Sequence, residues 1–206
     1  MPRPERARQQ QGAEKGKAMS ETASKAEQAD AVRTSMYRVV IRASIETVWS
    51  ELIRTDRPLP FFFGGQYDTP GLKTGAPFAM RSPDGKFTMA MGEVIEFDPP
   101  HRYAHTFRFT TSEDPASIVR YQLKEVEGGT EFTLINEHPA GDPVSKSEKQ
   151  MAQGAKFISE NLKSVVETGK ATFGGQALLF MFSLMAPMTP KTARSENWPL
   201  DRAPKG

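Results

Sequence analysis

Cysteine is absent from the 206 residues, which excludes disulfide scaffolds, thiol nucleophiles and cysteine metal sites and is compatible with a reducing compartment. The first thirty residues also lack the apolar segment of a secretory signal. Their Pro, Gln, Glu, Lys and Ala content predicts a disordered tail over residues 1–33, with translation starting at Met1 or at Met19. We therefore expect a cytoplasmic protein.

The motifs of the common enzyme and cofactor-binding classes are missing as well. No GxSxG, P-loop or GxGxxG pattern occurs in a suitable context, and His101, His105 and His138 have no histidine partner four residues away on a helix. The sequence therefore predicts no metal and no cofactor. The net charge is +2, of which residues 1–18 contribute +3. A nearly neutral body argues against a nucleic-acid partner, because affinity for phosphate requires clustered Lys and Arg.

What is present is a long stretch with the period of a β-strand, from Gly92 to Phe109. Pro99-Pro100 divides it and predicts a turn, since proline cannot donate to a ladder. After the turn every second residue is aromatic: Tyr103, His105, Phe107 and Phe109. Strict alternation places these rings on one face of a sheet. Gly92 in the first half predicts a bulge or bend that curves the sheet.

The remaining segments complete an α+β pattern. Further strands are predicted over residues 36–43, 78–81, 117–126 and 130–137, and a strand over residues 86–97 includes the first half of the central stretch. A short helix begins after Ser44, and residues 147–169 form a long amphipathic helix. We expect a curved antiparallel sheet of six to seven strands wrapped around this helix, with two short helices after the first strand.

An apolar segment follows the long helix, from Phe173 to Met188. It has no polar side in a helical arrangement, yet it is shorter than the roughly 20 residues that a membrane span needs. The preferred interpretation is an extension docked on the domain, and the alternatives are a membrane-surface element or a dimerisation element. The predicted division is a tail over 1–33, a domain over 34–170, and an apolar helical extension with a Pro-rich tail over 171–206.

Three segments together resemble a known family. Val40 to Trp49, Gly92 to Arg102 and Gly128 to Leu134 are similar to segments of the START-like (SRPBCC) superfamily and, more narrowly, of the family named after the activator of heat-shock-protein-90 ATPase. The resemblance covers residues 35–170 and implies the helix-grip fold. It also implies a functional range that includes lipid and polyketide binders, cyclases and cochaperones.

The resemblance implies a cavity between the sheet and the long helix. We expect a mostly apolar lining with a few polar groups, as small-molecule sites have. The alternative is an interior filled completely by the same side chains. The predicted ligand-binding residues are Trp49, Phe61, Phe63, Met89, Met91, Tyr103, His105, Tyr121, Asn136, Phe157 and Asn161.

Three functions are compatible with these residues. The preferred hypothesis is non-catalytic binding of a hydrophobic small molecule, such as a lipid. The second is a protein-interaction role as a cochaperone of the heat-shock ATPase, which would connect the protein to the stress response. The third is a cyclase or hydrolase that uses His105 or His138 with Tyr103 or Glu137. The sequence does not decide between a monomer and a homodimer.

Overall fold

A computed structural model describes residues 32–139, 144–185 and 188–205. Seven strands form one antiparallel sheet in the order β1-β7-β6-β5-β4-β3-β2. Consecutive strands from β2 to β7 are neighbours, and β1 pairs with β7. The strands are β1 Val32–Ile41, β2 Gln66–Asp68, β3 Pro77–Arg81, β4 Thr88–Asp98, β5 Arg102–Phe109, β6 Ser117–Val126 and β7 Gly129–Pro139. The predicted curved meander is confirmed.

The first strand begins earlier than its sequence pattern indicates. β1 starts at Val32 rather than at Met36, and its full length pairs with β7. Two residues of the predicted tail, Val32 and Arg33, therefore belong to the sheet, whereas residues 1–31 lie outside the described part of the chain. The strand was underestimated because Val32 to Ser35 has no alternation of apolar and polar residues.

One α-helix and one single-turn 3₁₀ helix follow β1, where two short helices were predicted. Helix α1 spans Ile45–Leu52, and the Ser44 hydroxyl caps it by accepting a hydrogen bond from the Thr47 N–H at 3.3 Å. The 3₁₀ turn spans Pro60–Phe62. Proline is tolerated at its first position, and Phe63, in the left-handed conformation with φ 55°, ends the turn.

Helix α2, Lys146–Thr168, crosses the concave face of the sheet. The Ser145 hydroxyl caps its start, and Gly169 with φ 76° ends it. Its apolar stripe is buried at Met151, Ala155 and Leu162, as the helical period predicts. The helix thereby supplies the second layer that buries the apolar face of the sheet.

Polar side chains of α2 also reach the edge strand β1. Glu148 binds Arg33 with an N–O distance of 2.7 Å, and the Lys163 ammonium donates to the Val40 carbonyl. Glu167 accepts a hydrogen bond from the backbone N–H of Arg42 at 2.8 Å, just after β1 ends. The helix therefore contacts the sheet both across its face and along this edge.

Gly92 on β4 lies in close contact with β5 and with Phe78 of β3. A Cβ atom added at Gly92 would lie 1.8 Å from the Thr106 carbonyl oxygen and 2.7 Å from the Phe78 ring, so only glycine fits. The Thr106 hydroxyl accepts a hydrogen bond from the Glu93 N–H at 2.8 Å. The pairing shift itself lies between Val94 and Glu96, slightly later than predicted. This irregularity is of the kind that bends a strand.

The chain after α2 passes over the domain twice. Helix α3, Phe173–Met185, follows α2, and residues 188–205 then run along the strands β3 to β5. Ser195 donates its backbone N–H to the Lys86 carbonyl at 2.9 Å, and the Thr106 hydroxyl donates to the Pro204 carbonyl at 2.6 Å. The Pro-rich tail is thus held against the sheet. In the three described ranges, no helix combines the length and the apolar character needed to cross a membrane.

Candidate functional site

A cavity of about 550 Å³ lies between the sheet, the 3₁₀ turn, α2 and α3. The sheet contributes Tyr67, Phe78, Met80, Met89, Ala90, His105, Phe107, Phe109, Val119, Tyr121, Leu134 and Asn136. The helical elements contribute Phe62, Phe63, Gln150, Met151, Gln153, Gly154, Ala155, Phe157, Ile158, Leu178 and Phe182. None of these described lining residues carries a charged side chain. The interior is therefore not completely filled.

Six of the eleven predicted site residues line this cavity: Phe63, Met89, His105, Tyr121, Asn136 and Phe157. The other five, Trp49, Phe61, Met91, Tyr103 and Asn161, do not line it. Trp49 packs against Phe97, with ring centroids 5.5 Å apart, and Phe61 is fully buried in the core. Their aromatic character alone gave no way to separate core positions from cavity positions.

The other three residues have different reasons for lying elsewhere. Met91 follows Ala90, which lines the cavity, and alternation places Met91 on the opposite face. Met89 reaches the cavity beside Ala90 because the β3–β4 pairing shifts at this point. Tyr103 is fully buried and stacks on Tyr121 at 5.5 Å. Asn161 lies on α2, where its Oδ1 accepts hydrogen bonds from the backbone and side chain of the residue that precedes α3. Asn161 is thus an anchor for α3.

His105 is an uncharged polar group in the cavity wall. Its Nδ1 lies 2.9 Å from the Thr106 carbonyl oxygen, which can only accept, so Nδ1 is assigned the proton. Nε2 then faces the Tyr121 hydroxyl at 3.4 Å as an acceptor. Burial lowers the pKa of His105 to about 4, because the charged form would lose its hydration. The ring is therefore neutral near pH 7.

Two buried tyrosines, Tyr103 and Tyr121, pack against His105, and Tyr67 lies beside Tyr103; all three are uncharged. Burial raises the pKa of Tyr67, Tyr103 and Tyr121 above the ordinary value. The Tyr103 hydroxyl lies beside that of Tyr67 without an aligned hydrogen bond among the described residues. The Asn136 amide donates to the Met151 carbonyl at 3.2 Å. The cavity therefore offers hydrogen-bonding groups and no net charge.

The predicted acid–base pair of Glu137 and His138 is not formed. The two residues are adjacent on β7, so their side chains lie on opposite faces of the sheet. Glu137 pairs with Arg120 at 2.7 Å, whereas His138 Nδ1 lies 2.7 Å from the Ser117 hydroxyl. Neither residue lines the cavity. In the described ranges no three His, Asp or Glu side chains form a metal-ligand cluster.

Phe63 connects the cavity to α3. It has φ 55°, the left-handed conformation, and no other non-glycine residue in the described ranges has a positive φ. Its ring stacks on Phe157 at 4.4 Å and lies 6.3 Å from Phe182. The strained backbone thus directs this ring between α2 and α3. The sequence gave no position for α3, so this contact could not be predicted from it.

The sequence analysis missed several residues of the cavity wall. Leu178 and Phe182 reach the cavity from α3. The sequence feature that carries them is an apolar segment without a polar side. This feature indicated that the segment packs on the domain, but it did not show which elements it contacts. Phe107 and Phe109 also line the cavity, and the alternation shared with His105 could have identified them.

Comparisons with known proteins agree with this architecture. The family model described as "Activator of Hsp90 ATPase homolog 1-like protein" matches residues 42–167. DynU16, from the dynemicin biosynthetic locus, is 23% identical with a TM-score of 0.56, over 67% of this chain and 48% of that one. A Staphylococcus saprophyticus protein is 16% identical with a TM-score of 0.54, over 68% and 96% of the two chains.

A third solved structure is the Aha1 dimer from Colwellia psychrerythraea. It is 18% identical with a TM-score of 0.51, over 68% of this chain and 99% of that one. At these identities the solved structures share the fold alone. No curated protein sequence matches the chain at a significant level. The matched family region ends before α3, so this helix lies outside it.

Proposed function

The chain belongs to the Activator of Hsp90 ATPase homolog 1-like protein family, and we propose that it binds an uncharged, largely apolar small molecule without converting it chemically. The observation that supports this function is the cavity of about 550 Å³ with an uncharged lining. Small-molecule sites typically have volumes of about 300–1,000 Å³ and a few well-placed polar groups. The ligand is held between the sheet and α2.

The lining selects against charged ligands. A charged group that enters such a cavity loses its hydration and finds no side chain of opposite charge, which is costly. Tyr121, His105 and Asn136 offer uncharged hydrogen-bonding partners along one wall. We therefore expect a ligand with a hydrophobic body and one or two neutral polar groups, such as hydroxyl or carbonyl groups. The methionine side chains Met80, Met89 and Met151 can adapt to ligands of different shape.

The same lining favours binding over catalysis. Of the described residues that face the cavity, none is Ser, Thr, Cys, Lys, Asp or Glu, the usual sources of a nucleophile. His105 is neutral, and a backbone carbonyl rather than a carboxylate holds its Nδ1. A general acid–base role would require the imidazole to become charged, which its burial opposes.

The first test is a titration with the neutral fluorescent probe N-phenyl-1-naphthylamine. Phe157→Ala removes a ring from the cavity wall, whereas Leu162→Ala removes a fully buried side chain of the same helix that does not line the cavity. We expect Phe157→Ala to weaken probe binding about tenfold. Leu162→Ala should destabilise the fold by about 2–5 kcal/mol without changing the affinity of the folded protein.

Tyr121→Ala opens the opposite wall and should weaken binding in the same way. Native mass spectrometry of protein purified from its own host, followed by denaturing extraction, then identifies the natural ligand. Equal probe affinity in the folded Phe157→Ala, Tyr121→Ala and Leu162→Ala variants would refute the cavity as the binding site.

A second candidate function is a cochaperone-like interaction. It rests on the name of the family and on the Aha1 relative, with which this chain shares the fold. The test is a pull-down with the heat-shock ATPase together with its rate of ATP hydrolysis. Stimulation by the wild type and by Phe157→Ala to the same extent would support this role independently of the cavity. No complex and no change in rate would remove it.

A further inference from the structure

Helix α3 is apolar on the side that faces the cavity and on the side that faces away from it. Leu178 and Phe182 line the cavity. On the outer side Phe180 is 66% exposed and Leu184 is 65% exposed, and Met188 beyond the helix is 78% exposed. Contiguous exposed apolar patches are uncommon on monomeric proteins and mark interaction sites. We call Phe180 and Leu184 the outer face of α3.

Both ends of α3 are fixed to the domain. Before the helix, Thr172 donates its N–H and its hydroxyl to Asn161 Oδ1, each at 3.0 Å. After the helix, Arg194 forms a β-bridge with Phe87, and Ser195 binds the Lys86 carbonyl. Between these anchors α3 packs on the 3₁₀ turn and over the cavity. It is therefore a strap over the ligand site with an apolar outer surface.

Between Glu167 and Glu196 the sequence around α3 carries only basic charges, although Arg194 pairs with Glu196 at 3.6 Å. Residues 168–195 include Lys170, Lys191 and Arg194 and contain no Asp or Glu. Lys170 precedes the helix, Lys191 follows it, and both are exposed. Exposed lysines that flank a short apolar helix in the sequence complement an anionic lipid surface, where each contributes about 1 kcal/mol. If two copies of this chain met through this segment, its basic residues would face each other and repel.

We propose that the outer face of α3 docks on an anionic lipid bilayer, and that the cavity ligand passes between membrane and cavity beneath this strap. The docking follows from the apolar surface and its basic ends. The passage of ligand rests on the proposed function, and it follows from the position of α3 between the outer surface and the cavity. An apolar ligand that fits this cavity partitions into membranes, which makes a bilayer the matching source.

Flotation of the full chain with vesicles tests the docking. We expect binding to vesicles of phosphatidylcholine and phosphatidylglycerol at 3:1, and weaker binding to phosphatidylcholine alone. Phe180→Ser/Leu184→Ser should lower the partition coefficient by at least about tenfold. The matched control is Met36→Ser/Val40→Ser, which removes exposed apolar side chains of β1 and should leave binding unchanged. Lys170→Gln/Lys191→Gln should weaken binding to the anionic vesicles alone, about fivefold per lysine.

The outcomes separate docking from the cavity function. Absence of wild-type flotation, or flotation that is unchanged in Phe180→Ser/Leu184→Ser, would overturn the docking. A wild-type dimer in analytical ultracentrifugation that this double variant converts to a monomer would also overturn it, because the outer face would then be a self-interface. Probe titrations without vesicles are run on the same proteins. Flotation without any probe binding would retain the docking surface and overturn ligand passage.

Discussion

Protonation of His105 should destabilise the fold over a defined range of pH. The pKa of this buried imidazole is about 4 in the folded protein and 6.5 in the unfolded chain. The unfolded state therefore binds the proton more readily, and stability falls as the pH falls below 6.5. Each unit of difference corresponds to about 1.4 kcal/mol. Between pH 7 and pH 5 the two protonation equilibria give a loss of about 2 kcal/mol from this residue.

The choice of range avoids most other titrations. Interactions with neighbouring groups lower the pKa of Asp84, Asp114, Glu148 and Glu167, so these carboxyl groups lose their stabilising effect only as the pH falls below their ordinary values of 3.8 to 4.5. His138 does overlap, because burial lowers its pKa and gives its protonation the same sign. A separate variant of His138 is therefore needed to measure the part of the stability loss that this residue causes.

The assay is urea unfolding followed by tryptophan fluorescence at pH 7 and pH 5. His105→Gln keeps a polar side chain without a titration in this range, and the change in its unfolding free energy between the two pH values should be about 2 kcal/mol smaller than in the wild type. This corresponds to about 1 M urea in the midpoint. His138→Gln should reduce the loss separately, and the exposed His101→Gln serves as the control. An identical loss in wild type and His105→Gln would refute the argument.

Two further predictions concern close contacts. Gly92→Ala places a Cβ 1.8 Å from the Thr106 carbonyl oxygen and should destabilise the fold by about 3 kcal/mol or more, measured by thermal unfolding, whereas Gly174→Ala, which meets no atom within 4 Å, should not destabilise it. Asn161→Ala leaves the Thr172 donors without their partner and should cost about 1–3 kcal/mol. Hydrogen exchange should then rise in α3 and not in the sheet, and uniform exchange would contradict the anchoring role.

The fold could be predicted from the sequence because the patterns that indicate its strands and helices are local. Alternation from Tyr103 to Phe109 indicated one face of β5, and the apolar stripe of α2 indicated its partner layer. Both are properties of a few consecutive residues. The bounds of β6 were also predicted, since Val119 to Lys124 alternates strictly in the middle of the strand. Strand β1 was shortened because its first residues lack that pattern.

The residues of the site could be predicted only in part, because burial depth and strand register decide which side chains line the cavity. Trp49 and Phe61 have the same side-chain chemistry as Phe63, yet only Phe63 reaches the cavity. Met91 does not line the cavity although Met89 does, because the β3–β4 pairing shifts at Met89. The local sequence does not show how far an aromatic ring lies from the cavity. The position of α3 depends on Asn161, and nothing in the sequence marked that residue as an anchor.

The contacts between α2 and β1 have a consequence for aggregation. An unpaired edge strand is a template for another chain, and β1 is the long edge of this sheet. Lys163 engages the Val40 carbonyl and Glu167 engages the Arg42 N–H, so groups that an incoming strand would pair with at this end of β1 are already used. The other edge, β2, is three residues long. Strand addition is therefore opposed at β1 by the packing of α2, which also forms the cavity, and at β2 by the shortness of the strand.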